Sequence, residues 1–137
     1  MSTTNTPTRS TDVVARFYRA VREDDVEAAL AALSPDVVLH VPGTHPLAGE
    51  HRGTDGLLGF VLGCREVATG GEQTEVLDLL EGEDHVAALC RVTAERSDGA
   101  VLDNRTVHLL HTDAAGLISE IWFHNWDQPG VDAFWAA

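Results

Sequence analysis

At Gly70-Gly71 the periodicity of the chain changes. Before it, apolar residues recur at helical spacing; after it, they alternate with polar ones in four long runs, 73–80, 85–95, 101–112 and 117–127. Alternation places successive side chains on opposite faces of a sheet. The breaks between runs, "EGED", "SDGA" and "TDAAG", are short. Only antiparallel neighbours can be joined by so few residues, so the second half is predicted to be an antiparallel meander. Asp98-Gly99 has the composition of a two-residue hairpin turn, which would pair Leu89 with His108 and Arg91 with Thr106. Pro129-Gly130 ends the last run, and "VDAFWA" follows as a short terminal helix or tail.

The first half supplies helices. Val14, Phe17, Tyr18 and Val21 lie on one face of a helix that starts near Thr11 or Asp12. Asp24, with Glu27 three residues on, has capping-box spacing for a second helix with the stripe Val26, Leu30 and Leu33. Pro35 ends it, because proline disfavours helix in the residue before it. Residues 36–41, "DVVLHV", read as a strand, and "PGTHPLAGEHRG" as an irregular loop. A third helix is capped by Thr54 or Asp55. Gly56, Gly59 and Gly63 make it weak by propensity, so it needs tertiary packing or a close approach of backbones. The predicted class is α+β: three helices packed on one face of a curved antiparallel sheet, with a pocket at its open end. Residues 1–10 are expected to be a disordered lead-in and 11–137 one domain.

A net charge of −13 argues against nucleic acid and against an anionic membrane surface as partners. The chain has no lysine, which excludes Schiff-base chemistry. Cys64 and Cys90 lack CxxC spacing and are expected to be free buried thiols, in keeping with a reducing cytoplasm. No apolar run reaches membrane-span length, and the polar start "MSTTNTPTRS" has no signal-peptide core. The expected location is therefore cytoplasmic. No dinucleotide fingerprint, P-loop or G-x-S-x-G nucleophile is present, so no cofactor is expected. Among the seven histidines no H-x-x-x-H helix pair or i, i+2 strand pair occurs, so no metal is expected either.

The element order, together with "PLAGEHRG", the pattern G-x-I-x-E-x-W at 116–122 and "DQPGVDAFW", resembles the nuclear-transport-factor-2-like superfamily over residues 11 to 135. Within it the similarity is to the SnoaL-like proteins, relatives of polyketide cyclases and ketosteroid isomerase. The resemblance implies a cone-shaped sheet closed by three helices, with the pocket between them. It does not name a reaction, because the fold hosts isomerases, cyclases, dehydratases, epoxide hydrolases and proteins without catalysis.

Ketosteroid isomerase uses a carboxylate at the end of the first strand, where this chain has His40 or Val41. Its tyrosine position falls on Phe17, with Tyr18 a quarter-turn away, and its protonated aspartic acid falls on His108. Steroid isomerisation by that mechanism is therefore rejected. The cyclase resemblance implies a histidine and an aspartate for acid/base work; His108 and Asp127 match, although Asp127 lies one residue further from Glu120 than expected. His40, at the expected pocket mouth, is a third catalytic candidate. Arg91 would share a polar cluster with Thr106 and His108. Phe17, Phe60 and Phe123 would exclude water, and Tyr18 and Asn125 would contact substrate. Each candidate has an ordinary alternative: strand-surface or loop-capping histidines, a turn-capping Asp127, a strand-end Asn125, a core Tyr18. The expected function is a cofactor-independent acid/base enzyme acting on a hydrophobic carbonyl, hydroxyl or polyketide-like compound. The alternative is a non-catalytic binder of such molecules. On the last strand Ile121, Phe123, Asn125 and Asp127 share one face, and Glu120, Trp122, His124 and Trp126 the other. Tryptophans on an outer face point to a homodimer.

Overall fold

The computed structural model describes residues 9–136. Of the expected lead-in, residues 1–8 lie outside the described residues, and Ser10 already opens α1 (Ser10–Arg22). Then follow α2 (Val26–Ala31), β1 (Leu33–Val41), β2 (Gly49–Arg52), α3 (Gly53–Val67), β3 (Glu72–Glu81), β4 (His85–Glu95), β5 (Val101–Thr112), β6 (Ile118–Asn125) and α4 (Gln128–Trp135). The class is α+β. The six strands form one curved, unclosed sheet in the order β2-β1-β6-β5-β4-β3. All neighbours are antiparallel except β1 and β6, which run parallel. The meander and a short terminal helix are as expected, although α4 begins at Gln128, before Pro129; the parallel pair and β2 are not.

Several local expectations shift for physical reasons. Asp24 does not cap α2. It takes a left-handed backbone (φ 58°) that closes the turn after α1. Asp25 is the cap instead, its carboxylate accepting from the Ala28 N–H at 3.1 Å. Leu33 leaves the helical stripe and pairs with Ile118 of β6, and an irregularity between Leu33 and Val38 accommodates Pro35. Part of the expected loop becomes β2, whose residues 49–52 pair with 38–41. One glycine of α3 marks a close approach of backbones: a Cβ on Gly56 would sit 3.0 Å from the His51 carbonyl carbon, so β2 would have to shift slightly to admit a side chain there, whereas Gly59 faces open space.

The β4–β5 turn decides which side chains face the core. It contains three residues, Ser97, Asp98 and Gly99, closed by the Arg96 N–H donating to the Ala100 carbonyl at 2.9 Å. Gly99, at φ 91°, supplies the left-handed residue of such a turn. The extra residue shifts the register by one, so Ala88 opposes His108 and Cys90 opposes Thr106. A one-residue slip exchanges faces. Arg91 thus leaves the expected cluster and forms a two-point ion pair with Asp103 on the outer surface, at 2.9 and 2.8 Å.

The inner face of the sheet packs against the helices. Val86, Leu110 and Ile121 form one cross-strand row, 0%, 0% and 2% exposed, in a core with Val13 and Val14 of α1. A second cluster joins Cys64 and Ala68 at the end of α3 to Val131, Phe134 and Trp135 of α4. Cys64 and Cys90 are free and buried. No helix among the described residues is long and apolar enough to cross a membrane.

Candidate functional site

Between the two clusters lies a cavity of about 150 Å³. Its wall is mostly apolar: Phe17, Leu39, Leu57, Phe60, Ile121, Phe123 and Trp135 contribute. Its polar groups come from alternate positions of the strands, because only every second residue faces inward. β5 contributes Asn104, Thr106 and His108, and β6 contributes Asn125. β3 adds Glu72 and Thr74, α1 adds Tyr18, and the loop after β1 adds His45.

The inner end holds a buried pair. The Tyr18 hydroxyl and His108 Nδ1 are 2.7 Å apart. Burial pushes the His108 imidazolium down to about 3, so the ring is neutral at ordinary pH. Burial, assisted by Cys90, raises Tyr18 well above its usual range, so the phenol keeps its proton. That proton needs an acceptor, and Nδ1 is the one Tyr18 reaches among the described residues. Tyr18 therefore donates, and the His108 proton resides on Nε2. The ring is held from the other side by Phe123, with centroids 4.0 Å apart. Cys90 Sγ lies 3.9 Å from Nδ1, and burial pushes that thiol up to about 12.

Further along, a directed chain of hydrogen bonds runs out of the cavity. Asn104 Nδ2 donates to Asn125 Oδ1 at 2.9 Å, Asn125 Nδ2 to Gln128 Oε1 at 2.9 Å, and Gln128 Nε2 to Asp132 Oδ1 at 2.9 Å. Glu72 lines the outer end from edge strand β3; burial lifts its carboxyl to about 6, with Arg65 opposing. The residue as a whole is exposed, so solvent screens much of this effect. Glu72 belongs to the cross-strand row of Leu102, six residues along β5 from His108. At roughly 3.3 Å per residue that is about 20 Å, too far for the two to serve one bond.

Of the expected site residues, Phe17, Tyr18, Phe60, His108, Phe123 and Asn125 line this cavity. Three do not. Arg91 is on the outer surface because of the register shift. His40 also faces outward: it stacks on Trp122 (5.4 Å, 4°) and meets Glu120 at 2.5 Å through Nε2. The parity of β1 sends Leu39 and Val41 inward and His40 out. Asp127 is exposed and caps α4, accepting from the Gly130 N–H at 3.1 Å. The three tryptophans also divide: Trp122 is on the outer face, Trp126 is 63% exposed, and Trp135 lines the cavity. Glu72, Thr74, His45 and Asn104 were not among the expected substrate contacts. Asn104 was within reach, two and four residues before Thr106 and His108 on the same alternating face. On the outer face Asp84, His85 and His111 assemble from the start of β4 and the end of β5, with ligand atoms within 4.8 Å of one another. Spacing within single elements does not reveal that grouping.

The SnoaL-like domain family matches residues 14–121. An uncharacterized Mycobacterium bovis protein, Mb0035, is 36% identical over 127 residues, spanning 91% of this chain and 95% of that protein. An NTF2-like protein of unknown function from Burkholderia pseudomallei superposes with a TM-score of 0.84 at 19% identity, covering 96% of this chain and 100% of that one. TerC, co-crystallised with polyporic acid, superposes with a TM-score of 0.84 at 19% identity, over 95% and 100% of the two chains. These two structural likenesses speak for the fold. With an unclosed sheet packed on helices around an apolar cavity and a family match over most of its length, the chain belongs to the SnoaL-like domain family, and its fold is NTF2-like.

Proposed function

We propose that the cavity binds a hydrophobic small molecule bearing a carbonyl or hydroxyl oxygen, and that the protein moves a proton next to that oxygen without a cofactor, as a cyclase, isomerase or dehydratase does. The observation that carries this is the buried Tyr18–His108 pair in an apolar cavity. A neutral imidazole is a weak base but a good hydrogen-bond donor. Nε2–H can hold a ligand oxygen while negative charge develops on it, Tyr18 fixes the ring in the tautomer required, and the proton leaving the neighbouring carbon is taken by solvent water at the mouth of the cavity. The dry walls strengthen that interaction. The co-crystallisation of TerC with a small organic acid is in keeping with this use of the fold. A second reading, binding without turnover, is favoured by one observation: Glu72, the carboxyl that lines the cavity, is far from His108 along the strands.

Proton exchange tests this without knowledge of the natural substrate. Hydrophobic cyclic ketones incubated with the protein in deuterium oxide are expected to gain deuterium beside the carbonyl faster than in buffer. The His108→Leu variant is expected to lose the acceleration by a factor on the order of 100. Ketones that bind but exchange at the buffer rate would leave the binder reading in its place.

A further inference from the structure

The outer face of the sheet carries a group of side chains that neither the core nor the cavity uses. His85 opens β4, and His111 stands directly opposite it near the end of β5. Their ring centroids are 4.8 Å apart. Asp84, the residue before His85, reaches both rings. Its Oδ1 is 2.8 Å from His85 Nδ1, and its Oδ2 is 3.6 Å from His111 Nε2. One nitrogen from each ring and one carboxylate oxygen lie within 4.8 Å of one another. Asp84 is exposed and the two histidines are half-buried, so solutes reach the group.

Ser119 fixes His111 in one tautomer. It is the extra residue where the β5–β6 register shifts: Glu120 opposes His111, and Ile118 opposes Thr112. The Ser119 hydroxyl has a single proton and donates it to the His111 carbonyl, 3.3 Å away. The same oxygen lies 2.7 Å from His111 Nδ1, so it accepts there. Nδ1 therefore carries the proton of the neutral ring, and Nε2 turns its lone pair toward Asp84 Oδ2. Two lone pairs that face one another call for a cation between them. A metal-ligating histidine is held in this way, with its far N–H donated to a fixed acceptor. The carboxylate is anchored too. The Thr112 N–H donates to the Asp84 carbonyl at 3.1 Å and fastens the β3–β4 turn to the end of β5. Glu120, across from His111, is engaged instead by His40 at 2.5 Å.

We infer that Asp84, His85 and His111 form a site for a divalent transition-metal ion of the zinc class, on the face of the sheet opposite the cavity. Two imidazoles and one carboxylate are the donors such ions prefer, whereas magnesium and calcium take oxygen alone. Donor atoms around a tetrahedral zinc ion stand roughly 3.3–3.5 Å apart, and the gap of 3.6 Å between His111 Nε2 and Asp84 Oδ2 is already close to that. His85 binds through Nδ1 once the ring carries its proton on Nε2. Water completes the coordination, and a polar surface hollow beside Asp84 and His111, lined also by Ser10 and Asp113, has room for it. The ion ties the β3–β4 turn to β5. None of its three ligands lines the cavity, so the site stands or falls independently of the function proposed above.

Zinc chloride titrated into the full chain in neutral buffer tests this, with the ring nitrogens of the seven histidines followed by NMR. His85 and His111 are expected to shift together and to saturate at one ion per chain, while His40, His45 and His108 stay in place. Magnesium chloride is expected to shift none of them. In calorimetry His111→Asn is expected to weaken zinc binding about tenfold or more. Ser119→Ala, which leaves all three ligands in place, is expected to weaken it by a factor of about 10. His40→Asn is expected to bind as the wild type does. The wild-type spectra decide without any variant, so a variant that fails to fold does not spoil the test. Equal shifts at every accessible histidine would mean loose association and overturn the inference. So would zinc that leaves His85 and His111 unmoved, or magnesium that matches zinc.

Discussion

The His108→Gln variant is expected to lose less stability in acid than the wild-type chain does. In the folded protein burial holds His108 down to about 3, against 6.5 for a free histidine. The unfolded chain therefore takes up a proton on this residue below about pH 6.5 that the folded chain refuses. The sign follows: the stability tied to a neutral buried His108 is fully present above that pH and is lost as pH falls toward the folded value. From about pH 7 to about pH 4 the loss is on the order of 3 kcal/mol. Glu72 works in the opposite direction. Its carboxyl is lifted from 4.5 to about 6, so its contribution is present below the unfolded value and fades as pH rises through the folded one. Glu72 thus flattens the wild-type curve in mild acid, and below it the His108 effect stands uncovered. Carboxylates paired on the surface, such as Asp98 (about 2, held down by Arg96), weaken in acid in both proteins and cancel in the comparison. Glutamine cannot titrate and offers Tyr18 an acceptor. Urea unfolding at several pH values measures the difference. Parallel curves for the two proteins would mean that His108 is solvated in the native state.

Leu110→Ala is expected to be the most damaging single truncation in the sheet. Leu110 is 0% exposed, flanked on its row by Val86 and Ile121 and clustered with Val13 and Val14 of α1. These neighbours are held by two strands and a helix, so the gap closes only in part. Lost burial and a residual cavity together cost about 3–4 kcal/mol, a large share of the roughly 5–15 kcal/mol that holds a domain of this kind together. Val101→Ala is the internal control. It removes methyl groups from the same strand, but Val101 is 67% exposed, and the expected change is within about 0.5 kcal/mol. Equal midpoints for the two variants in thermal or urea unfolding would contradict the assignment of the inner face.

The fold was legible because its signals are periodic. The runs from 85 to 95 and from 101 to 112 coincide with β4 and β5, since long alternation between short polar turns has few other solutions. What sequence could not supply was the parity at two places. Asp98-Gly99 fits a two-residue turn by composition, yet Ser97 joins it; one residue decided whether Arg91 or Cys90 stands beside Thr106. His40 failed for the same reason, since position along a strand says where a side chain is but not which face it takes. Asp127 failed because capping a following helix and serving a pocket call for the same residue in the same place, and the terminal segment forms a full helix that needs the cap. Glu72 and His45 reach the cavity from an edge strand and a loop, where no periodicity marks the inward side.

The most direct test of the central claim is the nitrogen spectrum of the His108 ring, recorded through a pH titration with and without a hydrophobic cyclic ketone. A neutral ring protonated on Nε2, untitrated down to about pH 4, with its Nε2–H resonance displaced by the ligand, is the expected result. A ring that titrates near 6.5 and ignores every ligand would contradict it, because His108 would then be neither buried against Tyr18 nor part of a binding cavity.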